Sequence, residues 1–218
     1  MEAKLKILNL YAGIGGNRKL WGDQHDITAI EYKPEIAKIY QDFFPNDKVI
    51  IADAHQYLLE HFSEYDFIWS SPPCPSHSSF RKNFSVPQGA KIIYPDMKLY
   101  EEILLLQGYF KGKWVVENVI SWYDPLIPPV TIQRHYFWCN FPVSDISLPR
   151  DVLEITRQEG KEKHNTENEK EQINRLSKKF GFNFKEHKSN LKLYLRNCVE
   201  PELGKHILFC AFNKTSLF

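Results

Sequence analysis

Cysteine is scarce in this chain and forms no C-x-x-C pair: Cys74, Cys139, Cys198 and Cys210 stand apart, which argues against a zinc ribbon or a dithiol redox motif. Cys74 and His77 have the spacing of half a metal site, but no second half follows, so no metal is expected. Cys139 and Cys210 sit in apolar runs and read as buried thiols, a usage that fits a reducing cytoplasm. Long apolar runs are missing too. Nothing approaches the ~20 consecutive apolar residues of a membrane span. Met1-Glu2-Ala3-Lys4 leads into a strand and lacks a signal peptide's apolar core. Excess charge is also lacking: 28 basic against 27 acidic residues leave a net charge of +1. Any surface for a polyanion must therefore be local. The expectation is a soluble, cytoplasmic protein.

What is present is an ordinary globular composition, 43% hydrophobic and 25% charged over 218 residues, enough for one large domain with a small appendage. Strand-like and helix-like segments alternate over the first two-thirds. Leu5 to Tyr11, Ile27 to Glu31, Val49 to Ala52, Phe67 to Ser70 and Trp114 to Glu117 read as strands. Asn17 to Trp21 can begin a helix, and Pro34, Ile36, Ile39, Tyr40 and Phe43 give a helical period. Tyr57, Leu58 and Phe62 suit the helix after the third strand, and Lys98 to Lys111 suits a long one before the fifth. This order predicts an α/β fold, a mostly parallel doubly wound sheet of Rossmann-like type. The region 1–140 forms its core, 141–190 a charge-rich second region with one helix from Glu167 to Phe180, and 191–218 a segment returning to the core.

Ligands in such sheets bind beyond the carboxyl ends of the strands, and the chemistry-bearing residues fall there. Tyr11-Ala12-Gly13-Ile14-Gly15-Gly16 is a glycine turn that lets the backbone pass close to a ligand. It departs from G-x-G-x-x-G, which favours a nucleoside-like cofactor over NAD. Glu31 can accept from a ribose diol, and Asp53 from an adenine amino group. Cys74, between Pro73 and Pro75, follows the fourth strand on a stiffened loop, where a thiol acts as a nucleophile if something lowers its pKa. Glu117 ends the fifth strand, where a carboxylate is costly unless useful. Ser76 to Asp96 reads as a mobile loop beside the cysteine. His77 and His135 read as structural or solvent-facing.

In this order the strand-Gly-x-Gly-Gly, the Pro-Pro-Cys of residues 72–74 and the Glu-Asn-Val of residues 117–119 resemble the cytosine-C5 DNA methyltransferase family. Gln133-Arg134-His135-Tyr136-Phe137-Trp138 resembles its arginine-bearing strand motif. Arg196-Asn197-Cys198-Val199-Glu200-Pro201 resembles its late motif, which folds back onto the cofactor. The resemblance implies S-adenosylmethionine as cofactor, with Pro72, Asn197 and Val199 joining the glycine turn, Glu31 and Asp53 around it. It also implies catalytic roles for three residues. Cys74 would add to C6 of cytosine, Glu117 would hold the N3/N4 edge as charge develops, and Arg134 would hold O2. The implied partner is DNA with the target cytosine out of the stack, at a cost of about a few kcal/mol. Ser76, Ser78, Arg81, Lys82 and Lys91 would then face the nucleic acid.

The departures from that pattern are specific. Asn9 stands in place of the family's usual aspartate, Pro75 in place of a glutamine and Arg196 in place of a glycine. Ile132 sits where a second arginine is common. Residues 141–190 lack the bulk of the family's target-recognition domain, so recognition should be loose, short or supplied by a specificity subunit. The resulting expectation is a minimal DNA cytosine-C5 methyltransferase of the restriction-modification type, in a bacterial or phage-infected cell. The alternatives are a tRNA cytosine-C5 methyltransferase, from another branch of the family, and a non-catalytic subunit that binds S-adenosylmethionine or DNA.

Overall fold

A computed structural model of the protein describes residues 4–148, 168–184 and 190–212. The five predicted strands are present as β1 (Lys6–Leu10), β2 (Asp26–Ile30), β3 (Lys48–Ile50), β4 (Phe67–Ser70) and β5 (Lys113–Val119). A hairpin of β6 (Val130–Ile132) and β7 (His135–Cys139) completes a seven-stranded sheet in the order β3-β2-β1-β4-β5-β7-β6. The first five strands are parallel, and β7 runs antiparallel to β5. This is the mostly parallel, doubly wound α/β sheet of Rossmann-like type that the alternating pattern predicts. Strand β5 runs two residues past its expected end, so Glu117 lies inside the strand.

The two-residue period of the strands sorts their side chains to opposite faces. On one face, Ile7, Phe67, Trp69, Val115 and Phe137 pack under the C-terminal helix, α6 (Pro201–Phe212), through Leu203, Ile207 and Leu208. On the other, Leu8, Leu10, Ile68, Trp114 and Val116 pack under α2 (Ala54–His61) and α3 (Lys98–Tyr109). A third cluster joins α1 (Pro34–Phe43) to α4 (Glu169–Phe180) and α5 (Leu191–Arg196). Helix α4 has clear sequence punctuation: Asn168 and Glu171 form a capping box, and Gly181 closes it in the left-handed conformation. Of the charge-rich second region, residues 141–148, 168–184 and 190 lie within the described structure, so the start expected at Glu167 lies outside it.

One predicted helix is not formed. Residues 16–21 make successive turns, with Lys19 donating to the Gly16 carbonyl and Trp21 to that of Arg18. The reason is tertiary. The turn is held against α6, where a Cβ on Gly204 would come within 2.2 Å of the Asn17 carbonyl oxygen. Its other side is fastened by the buried Arg18 guanidinium, which pairs with Asp47 at 2.8 and 3.0 Å.

Candidate active site

The glycine turn leaves β1 with Tyr11, Gly13 and Gly15 all at positive φ. A side chain at Gly15 would strike Phe44, and one at Gly16 would come within 2.6 Å of the Val199 carbonyl oxygen and 2.8 Å of the Cys198 Cβ. Cys198 and Val199 therefore lie against the turn, which brings an early and a late segment of the chain together there. Above Gly13 the space is open. Glu31 braces the turn from the end of β2, accepting from the Gly13 and Lys33 amides at 3.0 Å each. Ala12, next to Gly13, donates its amide to the Ile30 carbonyl. Asp53 caps α2, and the Gln56 amide it accepts is the main reason its carboxyl lies below the ordinary range. Next to these carboxylates in the sequence are two exposed side chains, Tyr32 (72% exposed) and Ile51 (57%).

A fully buried carboxylate ties this turn to the cysteine loop. Glu102, on α3, accepts from the Tyr11 hydroxyl at 2.6 Å and the Ser70 hydroxyl at 2.5 Å, and it lies 3.0 Å from His55 Nδ1. Tyr11 belongs to the glycine turn, and Ser70 is the last residue of β4 before the Pro-Pro-Cys loop. Burial, and then the Glu102 carboxylate, holds the Tyr11 phenol well above its usual range.

The cysteine loop leaves β4 through the buried Pro72, whose carbonyl accepts from Asn118 Nδ2 at 3.0 Å. The Cys74 carbonyl closes a turn by accepting from the amides of His77 and Ser78. Cys74 is half-buried and close enough to Glu117 to feel its charge. The sequence-based condition that something lower its pKa is not met in this state. Burial and then the Glu117 carboxylate push the thiol up to about 11.

Glu117 lies on the α6 face of β5. Its register partner on β7 is Phe137, and His135 is paired with Val119. Glu117 and His135 are thus diagonal neighbours on one face, and His135 Nδ1 stands 2.6 Å from Glu117 Oε1. His135 is buried, which leaves the structural half of the expectation and removes the solvent-facing half. Its Nε2 lies 3.9 Å from Glu200 Oε2, just before α6. Burial alone would raise the Glu200 carboxyl, but Arg134, Lys179 and His135 together bring it below its usual range. Arg134 sits at the turn into β7, half-exposed, with its guanidinium 3.7 Å from Glu200 Oε1. It joins the site through Glu200.

The segment expected to be a mobile loop contains ordered turns, including a π-helical one at Arg81–Ser85. Ser76 is buried. Its hydroxyl accepts from the Asp96 amide, and its carbonyl accepts from the Trp122 indole, which joins the segment's two ends beside the cysteine. Ser78 bridges to Ser121 and accepts from the Arg81 amide. The Arg81 guanidinium donates to the Lys91 carbonyl, Lys82 lies 4.2 Å above the Trp122 ring, and Lys91 is exposed. Pro73, Pro75, Ser76, Ile93, Tyr94 and Asp96 line an open cleft of about 360 Å³ on the solvent side of the cysteine loop. His77 is buried, with Nδ1 2.6 Å from the Tyr123 hydroxyl.

With that geometry in view, comparison with known families is informative. Residues 5–104 match the C-5 cytosine-specific DNA methylase family. Over those residues the chain is similar to that family. The methylase segment holds the glycine turn, Glu31, Asp53, Cys74 and Glu102, while Glu117, Arg134 and Asn197 lie beyond it. Comparison with curated proteins finds no match. Among solved structures, a SAM-dependent methyltransferase of Agrobacterium tumefaciens is similar at 12% identity and a TM-score of 0.43, over 57% of this chain and 41% of that one. A conserved hypothetical protein of Streptococcus pyogenes is similar at 14% identity and a TM-score of 0.42, over 63% and 86%. Among the described residues no group of three or more His, Cys, Asp or Glu is placed to hold a metal ion, and no helix is long and apolar enough to cross a membrane.

Sequence reasoning named Cys74, Glu117 and the glycine turn but missed His135, Glu200, Asn118 and Glu102. Asn118 had a signal: it alternates with Glu117, so one of the two had to face the opposite side of the sheet. His135 had none, because its contact depends on the antiparallel register of β7.

Proposed function

We propose that this protein transfers a methyl group from S-adenosylmethionine to C5 of cytosine in DNA, through a covalent adduct on Cys74. The observation that carries the reading is the pairing of Cys74 with Glu117. A thiol and a carboxylate within electrostatic reach are carried by adjacent parallel strands, Cys74 on the loop after β4 and Glu117 inside β5, and Asn118, next to Glu117, holds the Pro72 carbonyl of the cysteine loop.

The residues around the glycine turn fit S-adenosylmethionine. The open space above Gly13 gives the ligand room against the backbone. Glu31 would accept from the ribose hydroxyls and Asp53 from the adenine amino group, with the exposed Tyr32 and Ile51 offering apolar surface to a purine. Pro72, Asn197 and Val199 would close the remaining sides. When bound, S-adenosylmethionine supplies a methyl carbon made electrophilic by its sulfonium.

The chain's own residues would act on the base. The Cys74 thiol gives its proton to Glu117, and its sulfur adds to C6. Glu117 delivers that proton to N3, so the ring becomes a neutral, enamine-like nucleophile at C5. After methylation, water takes the C5 proton, the Cys74–C6 bond breaks, and the N3 proton returns over Glu117 to the Cys74 sulfur. Arg134, through its place beside Glu200, would hold O2. Ser76, Ser78, Arg81, Lys82 and Lys91 lie on the segment that would face the nucleic acid, and its exposed Phe80 and Tyr94 offer stacking surface. Residues 141–190 serve as a reduced recognition region or linker, with sequence choice supplied in part by a partner subunit.

The test is incubation with 5-fluorocytosine DNA and S-adenosylmethionine. A covalent complex that Cys74→Ser abolishes supports the proposal. A complex with RNA and none with DNA moves the activity to RNA, and cofactor binding without any complex points to a non-catalytic subunit.

A further inference from the structure

His135 is placed to do more than fill the sheet face. Its Nδ1 stands 2.6 Å from Glu117 Oε1, and both side chains are buried. An ionised carboxylate only accepts, so Nδ1 is the donor of that bond. On the far side, His135 Nε2 and Glu200 Oε2 face each other at 3.9 Å. Both atoms are buried, and neither finds a hydrogen-bond partner among the described residues. Glu200 in turn is held by Lys179 at 3.1 Å and Arg134 at 3.7 Å. The chain of contacts runs from two basic side chains through Glu200 and His135 to the carboxylate beside Cys74.

We propose that His135 is the positioning residue of Glu117: it binds Oε1, so that Oε2 is left to take the Cys74 proton and carry it to the cytosine N3. The inference rests on the methyltransferase reading above and deepens it. A carboxylate on a strand interior can turn about its last torsion, which is broad and roughly two-fold. A strong hydrogen bond to one oxygen removes that freedom and fixes which oxygen faces the reaction. The β5–β7 register brings Nδ1 to Glu117, and Glu200, ionised by its basic neighbours, faces the other nitrogen at 3.9 Å, beyond hydrogen-bond reach. The proton account is unchanged by this role. One proton leaves the Cys74 sulfur, passes over Glu117 Oε2 to N3, and returns by the same path, while the Nδ1 proton stays on His135 throughout.

Two variants separate positioning from packing. His135→Leu keeps the bulk and removes the donor. His135→Asn is smaller, but its amide can donate from nearly the position of Nδ1. Single-turnover formation of the covalent complex with 5-fluorocytosine DNA is measured for both, together with S-adenosylmethionine binding and thermal unfolding. The expected result is a roughly hundredfold slower complex for His135→Leu, as for removal of a preorganised donor. His135→Asn should recover to within about tenfold of wild type, and both should bind cofactor as wild type does. Equal rates for wild type and His135→Leu, or equal losses in both variants, overturn the positioning role while the methyltransferase reading stands. If His135→Leu does not fold, the asparagine variant alone decides, and a loss of about a hundredfold or more in it overturns the proposal. Absence of any complex from the wild-type protein overturns both.

Discussion

Replacing Glu117 by Gln should make Cys74 more reactive to a simple alkylating agent while abolishing its reaction with cytosine. The thiol is pushed from the ordinary 9.0 to about 11, by burial first and by the Glu117 charge second. At pH 8 that leaves about a hundredfold less thiolate than an unperturbed cysteine would have. A thiolate of higher pKa is also intrinsically more nucleophilic, by roughly tenfold over this range, so alkylation should be slowed about tenfold overall. The glutamine keeps the packing and removes the charge, so part of that deficit should disappear. We expect a severalfold faster reaction of Cys74 with iodoacetamide in Glu117→Gln, followed at the Cys74 peptide by mass spectrometry. Cys139 provides an internal reference, since burial raises its thiol without a contribution from Glu117. In the wild type the Cys74 rate should keep climbing past pH 9, with no plateau below it. Cofactor binding should be nearly unchanged in the variant and turnover should collapse. An unchanged or slower alkylation in Glu117→Gln, or a wild-type plateau near neutral pH, would refute the electrostatic coupling on which the mechanism depends.

Other substitutions test the supports. Asn118→Ala leaves the buried Pro72 carbonyl without its donor, which should cost about 1–3 kcal/mol in chemical denaturation and reduce complex formation more than cofactor binding. Gly204→Ala would drive a methyl group to 2.2 Å from the Asn17 carbonyl oxygen. A destabilisation of about 1–3 kcal/mol is expected, with weaker cofactor binding because the glycine turn is displaced, and wild-type values for both would contradict the close approach of α6. Tyr11→Phe removes one donor from the fully buried Glu102 carboxylate. Unfolding measurements should show a loss of about 1.5–3 kcal/mol.

Much of the fold was legible because it depends on short-range rules. Apolar runs of four to five residues ending in glycine, acid or proline mark β1, β2 and β4. The failed expectation at Asn17–Trp21 is the contrary case. Its local pattern permits a helix, but Gly204 and the Arg18–Asp47 pair hold the backbone in turns. A contact 187 residues away along the chain outweighs the weak preference of five residues.

The candidate site divides in the same way. The sequence by itself determined the reactive groups: a proline-flanked thiol at Cys74, a carboxylate in an apolar strand at Glu117, and a glycine turn that admits a ligand to the backbone. Residue type and distance from a strand end suffice for these. Only the tertiary structure decided their condition and their company. It buried Cys74 and brought the Glu117 charge within reach, and both raise the thiol instead of lowering it. It brought His135 to Glu117 through an antiparallel pairing that no sequence period encodes, and it laid Val199 on Gly16 and Glu102 between Tyr11 and Ser70. The physical reason is that a chemical group is a property of one residue, whereas its charge state and orientation depend on neighbours brought together by the packing of distant segments.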